Sequence, residues 1–484
     1  RRKKENRGKI IMHFVVFDYE TDGLSVNNSQ ILSCGGAIFN DAWEVLDDPL
    51  NLTCRLKPGQ VPSPEALLVN NISIDILQKT NLSYGGMIEQ MKQKFDKWSP
   101  AVFMTFNGCS FDRELQRRAL WKNLYENPYL TEFNGNSHFD LLGVARAVSL
   151  FFPKALKYKM NEKNNVSFKL QDLCAANGII NIIQHSAYED CLATAELAKL
   201  IQKTAPEVFK SALETTSKLG ANTYLQQLDV FCATEYYSNK PHMFCVKFLC
   251  FHPKYQWMQA WNLLVHPSDY VKMPYQQLKE ELRKSPKKIR QIKTNKHPIV
   301  MPKEYALQFE GYSQLGMEKI MERAKIIDEN PDFKERVSQI LLEEANDKEA
   351  LDSEIGLLPE ETMYKYGFAT DDQKKIMNEF HKVDWSQKLT VAEKFKDERY
   401  KYFAELYLYY ENPTALPESV YKRVHKSVAD KILSTDEQKY QTIPNAMKEI
   451  DDARSKYEND KEKLKILEEI NTYVINMEKI YQKA

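Results

Sequence analysis

Met12-His13-Phe14-Val15-Val16-Phe17-Asp18-Tyr19-Glu20-Thr21 is the stretch that decides the fold. The apolar run 12–17 reads as a buried strand ending in Asp18. The two-residue repeat of a strand sends Asp18 and Glu20 to one side and Tyr19 to the other. Two ionised carboxylates close together at a buried strand end are costly unless a cation neutralises them, and hard divalent cations take oxygen ligands. The D-x-E spacing alone is common, so its meaning depends on what surrounds it.

Working outward, residues 30–39 and 50–56 read as two further strands, the second approaching a turn at Lys57-Pro58-Gly59. Ser73 is a plausible helix N-cap, and apolar spacing at Met87, Ile88, Met91, Phe95 and Trp98 predicts a helix over 84–98. Residues 101–106 form a buried strand that runs into Asn107-Gly108-Cys109-Ser110, with a helix from Phe111 onward. Later helices are predicted over 141–148, 168–176 and 187–203, so the region 12–206 alternates as an α/β domain does. Asp112 falls at the start of the helix after that turn, where an acid suits the helix dipole. His185 lies in the loop before the 187–203 helix and Asp190 opens onto it. D-x-E, then D, then H-x-x-x-x-D, each at an element end of one α/β domain, is far more specific than any of its parts.

The chain has 484 residues, enough for about three domains. At 43% hydrophobic and 28% charged residues, disordered and collagen-like classes are excluded. Eight cysteines without a C-x-x-C pair indicate neither a zinc ribbon nor a disulfide framework and fit a reducing cytosol. No apolar run approaches the length that spans a bilayer. Residues 1–11 are a basic extension outside the fold. Lys plus Arg equals Asp plus Glu, at 67 each, which on its face weakens the case for a nucleic-acid partner. Yet residues 279–296 hold eight Lys or Arg against Glu280 and Glu281, a local net of +6. A β-rich stretch at 230–265 and a helical run from Glu318 mark a second region. From Thr362 to the end the pattern is nearly all helical, with a long charged amphipathic stretch at 451–483.

Taken together, Asp18, Glu20, Asp112, His185 and Asp190 resemble the signature of the DEDD exonucleases, in their histidine-containing branch. Within that superfamily the chain is similar to the exodeoxyribonuclease I family over nearly its whole length from Met12. The stretches that carry this are Phe17-Asp18-Tyr19-Glu20-Thr21, Ser110-Phe111-Asp112-Arg113-Glu114, Phe139-Asp140-Leu141-Leu142, Ser167-Phe168-Lys169-Leu170 and Ala176-Asn177-Gly178-Ile179. Asn295-Lys296-His297-Pro298-Ile299-Val300 and Tyr364-Lys365-Tyr366-Gly367-Phe368 extend it beyond the shorter relatives.

The resemblance implies an RNase H-like α/β exonuclease domain over 12–206, a Src-homology-3-like β-containing domain over 207–356 and an all-helical domain over 357–484. It implies processive 3′→5′ degradation of single-stranded DNA to nucleoside 5′-monophosphates, in DNA repair and recombination. Two Mg²⁺ ions, with Mn²⁺ as a substitute, are expected roughly 3.5–4 Å apart. Asp18 would bridge them, Glu20 and Asp190 would complete the ion that activates water, and Asp112 would serve the ion at the leaving 3′-oxygen. His185 would take the proton from the attacking water, a role that suits a pKa of about 6.5. Glu20 and Lys169 are the implied contacts at the scissile end, and Arg117, Tyr129, Arg146, Lys218, Arg290 and Asn295 the implied DNA contacts. Implied partners are single-stranded DNA and the C-terminal tail of single-stranded-DNA-binding protein, for which Phe152 stands where a basic residue is expected. A cytoplasmic monomer is expected. The rivals are an exoribonuclease or proofreading-type exonuclease using the same residues, and a non-catalytic nucleic-acid-binding module.

Four further readings can be checked against the fold. Asp140 is expected to cap a helix rather than bind metal. Asp22 is expected to face water, and Lys163 to be merely solvated. The aromatic stripe Tyr400, Tyr402, Phe403, Tyr407, Tyr409 and Tyr410 is expected to be core packing.

Overall fold

The computed structural model describes residues 12–179, 186–351 and 356–484. The basic extension 1–11 and His185 lie outside the described residues. The first sheet contains β1 (Phe14–Thr21), β2 (Ile31–Phe39), β3 (Leu50–Thr53), β4 (Val102–Thr105) and β5 (Ser137–Asp140), in the order β3-β2-β1-β4-β5. β1 is the middle strand, antiparallel to β2 and parallel to β4. It does not stop at Asp18 but runs on to Thr21, because β2 supplies partners for its last residues: Asp18 pairs with Gly35, Tyr19 with Cys34 and Glu20 with Ser33.

The alternation read from the sequence is the alternation of the two cores. Val15, Phe17 and Tyr19 pack with Met87, Ile88, Met91, Phe95 and Trp98 of the helix Tyr84–Trp98. Phe14 and Val16 face the opposite core, with Val144, Val148, Cys191 and Ala195. Asp18 and Glu20 continue that second face, so the carboxylates emerge where the apolar layer ends, under the helix Ala187–Thr204.

This helix crosses β1 and β2 at very short range. A Cβ placed on Gly35 would collide with the backbone of Ala187 and Tyr188, so only glycine admits the approach that brings the first turn of the helix over the end of β1.

The second sheet, β6 (Val230–Tyr237), β7 (Lys240–Phe251), β8 (Met258–Asn262), β9 (Ile289–Ile292) and β10 (Val300–Pro302), is antiparallel throughout. Its order β10-β6-β7-β8-β9 is a four-strand meander whose last strand returns beside the first. The helices Asp371–Lys382, Trp385–Ala392, Glu398–Glu411, Glu418–Ile432, Ile443–Lys456 and Lys461–Tyr481 form the C-terminal part.

In the aromatic stripe, Tyr400, Phe403, Tyr407 and Tyr409 are buried, and Phe403 meets the ring of Trp121 edge-on at 4.6 Å. Packing is indeed their role. The stretch 451–483 is not one continuous helix: it breaks after Lys456, and the Asp460 side chain accepts from the Lys463 amide to start the next one.

Gly35→Ala should destabilise the protein by about 1–3 kcal/mol, the usual cost of forcing a methyl group into a packed contact. The urea midpoint reads this directly, and an unchanged midpoint would mean that the helix can lift from the sheet without penalty.

Candidate metal centre

Oxygens of Asp18, Glu20 and Asp190 lie within 4.8 Å of one another. β1 supplies the first two and the first turn of the helix Ala187–Thr204 supplies the third. Asp112 opens the helix Asp112–Lys122 and is 5% exposed. It stands outside the group of three, yet its charge is the largest carboxylate influence on Asp18.

All four carboxyls are held above their ordinary range. For Asp18 the causes are burial, then Asp112, Glu20 and Asp190. Burial followed by Asp190 and Asp112 pushes Glu20 up to about 8. Burial raises Asp112 to about 7, against opposing hydrogen bonds from backbone amides that include that of Tyr19. Asp190 rises to about 6 through burial and Glu189. Like charges gathered out of water resist ionisation unless a cation joins them.

The residues fit a divalent ion. The donor set is all oxygen, as hard cations require, and Asp190 Oδ1 is buried without a hydrogen-bond partner among the described residues. Buried acceptors are ordinarily satisfied.

Asp140 is not in the group of three, although its charge helps to raise Asp112. Its side chain accepts from the Leu142 amide at 3.1 Å, capping the helix Leu141–Phe151, and also from the amides of Asn107 at 2.9 Å and Cys109 at 3.0 Å. The cap was legible in the sequence; the grip on the turn before Asp112 was not.

Asp22 is a correction. It does not face water: it is 2% exposed and accepts from the Gln30 amide at 2.7 Å and from Gln60 Nε2 at 2.6 Å.

Lys169, Lys218, Asn295 and Lys163 are exposed. Arg117 is buried, donating to Glu114 Oε1 at 2.8 Å, to the Tyr364 hydroxyl at 3.1 Å and to Glu132, with its guanidinium over the ring of Tyr129. Tyr129 also meets Phe133 and Phe368 edge-on. Arg146 stacks on Tyr236 at 3.5 Å. Arg290 stacks on Phe244 at 3.5 Å and pairs with Glu235 at 3.0 Å.

The basic segment is less free than its composition implies. Lys279 pairs with Glu343, Arg283 with Glu344, Lys284 with Glu281 and Lys296 with Glu114. Missing from the sequence reading was the role of Gly35, although two successive glycines inside a strand signal a close backbone approach.

Two family models match the chain: Exonuclease over residues 15–198 and Exonuclease I C-terminal domain over residues 358–477. The exodeoxyribonuclease I of Haemophilus influenzae is 25% identical over 429 residues, 80% of this chain and 89% of that protein. The chain belongs to the exodeoxyribonuclease I family.

The family fold extends over almost the whole molecule. A crystal structure of Escherichia coli exonuclease I in complex with a dA16 oligonucleotide aligns with a TM-score of 0.81 at 20% identity, covering 96% of this chain and 100% of that one. An ExoI/SSB-Ct complex aligns with a TM-score of 0.80 at 19% identity, covering 96% and 99%. Among the described residues no helix is long and apolar enough to cross a membrane.

A raised carboxyl pKa means that the folded state holds protons that the unfolded chain has released, so this cluster costs stability as pH climbs from about 4 toward 8. A bound cation displaces those protons, so its stabilisation should grow with pH. At a fixed concentration Mg²⁺ should therefore raise Tm more at pH 8 than at pH 6, and it stabilises the folded chain by about 2.7 kcal/mol wherever it is present at 100 times Kd. Asp18→Asn should abolish the effect. An equal Mg²⁺ effect at both pH values, or one that survives Asp18→Asn, would place the ion elsewhere.

Proposed function

We propose that this protein degrades single-stranded DNA processively in the 3′→5′ direction, releasing nucleoside 5′-monophosphates, in DNA repair and recombination. The observation that carries the reading is the convergence of Asp18, Glu20 and Asp190 beside Asp112, with a buried carboxylate oxygen left without a partner. The four acids would hold two Mg²⁺ ions, with Mn²⁺ as substitute, and such ions when bound offset the charge on both oxygens of an in-line phosphodiester displacement.

The chain's own residues have separate tasks. His185 takes the proton of the attacking water. Lys169, exposed at the start of the helix Leu170–Ala176, contacts the phosphate at the scissile end, with Glu20 beside the terminal sugar. Lys218 and Asn295 are exposed and meet the strand directly. Tyr129 provides a ring on which a base stacks whatever its sequence. Arg117, Arg146 and Arg290 contribute through the rings and acids that hold them in place.

Domain limits at 12–206, 207–356 and 357–484 belong to this proposal, as do a cytoplasmic monomer and the tail of single-stranded-DNA-binding protein as partner. Solved relatives bound to an oligonucleotide and to SSB-Ct support both macromolecular partners. The match of residues 358–477 to the exonuclease I C-terminal model favours this reading over the shorter exoribonuclease and proofreading-type enzymes.

Labelled single-stranded DNA, duplex DNA and RNA, each with Mg²⁺ or EDTA, test the proposal. Mononucleotides should leave the 3′ end of single strands only when Mg²⁺ is present; duplex preference or equal digestion of RNA would overturn the specificity. His185→Ala should lower turnover by about 10² or more with DNA binding retained, and near-normal turnover would remove the base.

A further inference from the structure

Asp112 follows a turn that is held only in part from within, where the Gly108 carbonyl accepts from the amides of Phe111 at 3.3 Å and Arg113 at 3.0 Å. Asn107 has φ +67°, in the left-handed region. Gly108 follows, where a Cβ would run into Thr105. Phe111 precedes the helix without any side-chain capping bond. The turn is gripped from outside at two points. One is the Asp140 carboxylate, on the amides of Asn107 and Cys109. The other is the Cys109 carbonyl, which accepts from Lys296 Nζ at 3.0 Å and from Arg113 Nη2 at 3.4 Å.

Both grips lead to one short segment after the second sheet's β9. Lys296 bonds Cys109 directly and reaches Glu114 Oε1 at 3.2 Å, two residues past Asp112. The Asn295 carbonyl accepts from Arg113 Nη2 at 2.9 Å. His297 is 6% exposed, and its Nδ1 accepts from the Asp140 amide at 2.9 Å. Its Nε2 must then carry the proton, which it donates to the Ala212 carbonyl at 2.9 Å. Burial pushes this imidazole down to about 4, so it keeps one neutral tautomer with one acceptor and one donor, both used.

We propose that Lys296 and His297 are positioning residues for the metal-holding carboxylate of Asp112: the second-sheet region clamps the turn 107–111, Lys296 at the Cys109 carbonyl and His297 through Asp140. This rests on the reading of Asp112 as a metal-holding residue. The sequence match at Asn295-Lys296-His297 then reflects geometry supplied to the site as well as strand contact. Groups that orient metal ligands from outside typically change metal affinity or activity by about 10–100-fold when removed.

The test uses the full chain with Lys296→Met, which keeps the apolar stem and removes the donor, and Lys296→Arg, which restores donors. Mn²⁺ binding is measured by calorimetry without DNA, kcat and KM on a single-stranded oligonucleotide, and Tm alongside. Lys296→Met should bind Mn²⁺ about 10-fold more weakly and lose a similar factor in kcat, with KM nearly unchanged, and Lys296→Arg should recover most of both. A raised KM with Mn²⁺ affinity and kcat unaltered would make Lys296 a strand contact and overturn the proposal. A lower Tm with both kinetic constants and Mn²⁺ affinity intact would overturn it as mere structural support. Should the unaltered protein bind no Mn²⁺, the metal reading falls and the clamp with it, an outcome visible before any variant is made.

Discussion

Asp18, Glu20, Asp112 and Asp190 are like charges drawn together out of water, and much of the architecture around them exists to make that juxtaposition possible. A strand can carry two carboxylates on one face at the point where its apolar residues run out, but it cannot supply the others. The helix Ala187–Thr204 must come down onto the sheet at Gly35, and a turn with a left-handed asparagine must aim the helix Asp112–Lys122. Neither arrangement is favourable locally: the first gives up a side chain in a central strand and the second strains a backbone. The surrounding cores, Phe17 with Phe95 and Phe103 on one face and Phe14 with Phe209 on the other, hold the sheet rigid enough to sustain them.

Electrostatics follow the same logic in reverse elsewhere. Where the metal centre gathers charge of one sign, the remainder of the protein disperses it. Glu114 is mostly buried, which raises its pKa, yet Arg117, Tyr364, Arg118 and Lys296 outweigh burial and bring it down to about 2. The +6 of residues 279–296 is largely answered by Glu343, Glu344, Glu235 and Glu114. Zero net charge is thus neither evidence against a polyanionic partner nor an even coating of neutral surface. Contacts with a DNA backbone have to come from particular exposed groups, with the salt sensitivity that implies.

What the sequence disclosed depended on the range of the forces involved. The helix Tyr84–Trp98 and the alternation in β1 were legible because period and capping are local. Asp140 was recognisable as a cap because it precedes its own helix. The end of β1 was misplaced since its last residues are defined by partners on β2, and Asp22 was misread because the loop returns Gln30 to it and Gln60 closes over it from farther along the chain. The break at Tyr457 in the last helical pair hid in a stretch that is amphipathic on both sides. Ion partners of the basic segment lie as far away as Glu114 and Glu343, beyond the reach of any window along the chain.

The helix Asp112–Lys122 is where these long-range contacts meet. Its first residue belongs to the acidic cluster. Two residues on, Glu114 takes Lys296 from beyond the second sheet and the Tyr364 hydroxyl, at 2.5 Å, from the entry to the C-terminal helices. One turn on, Arg117 bonds the same hydroxyl, and Trp121 packs on Phe403 in the C-terminal core. The regions outside the first sheet are therefore not appendages that only hold a substrate. They fix the axis of the helix that begins with Asp112, so a displacement of either region is transmitted to the acidic cluster through bonds that start two residues along it.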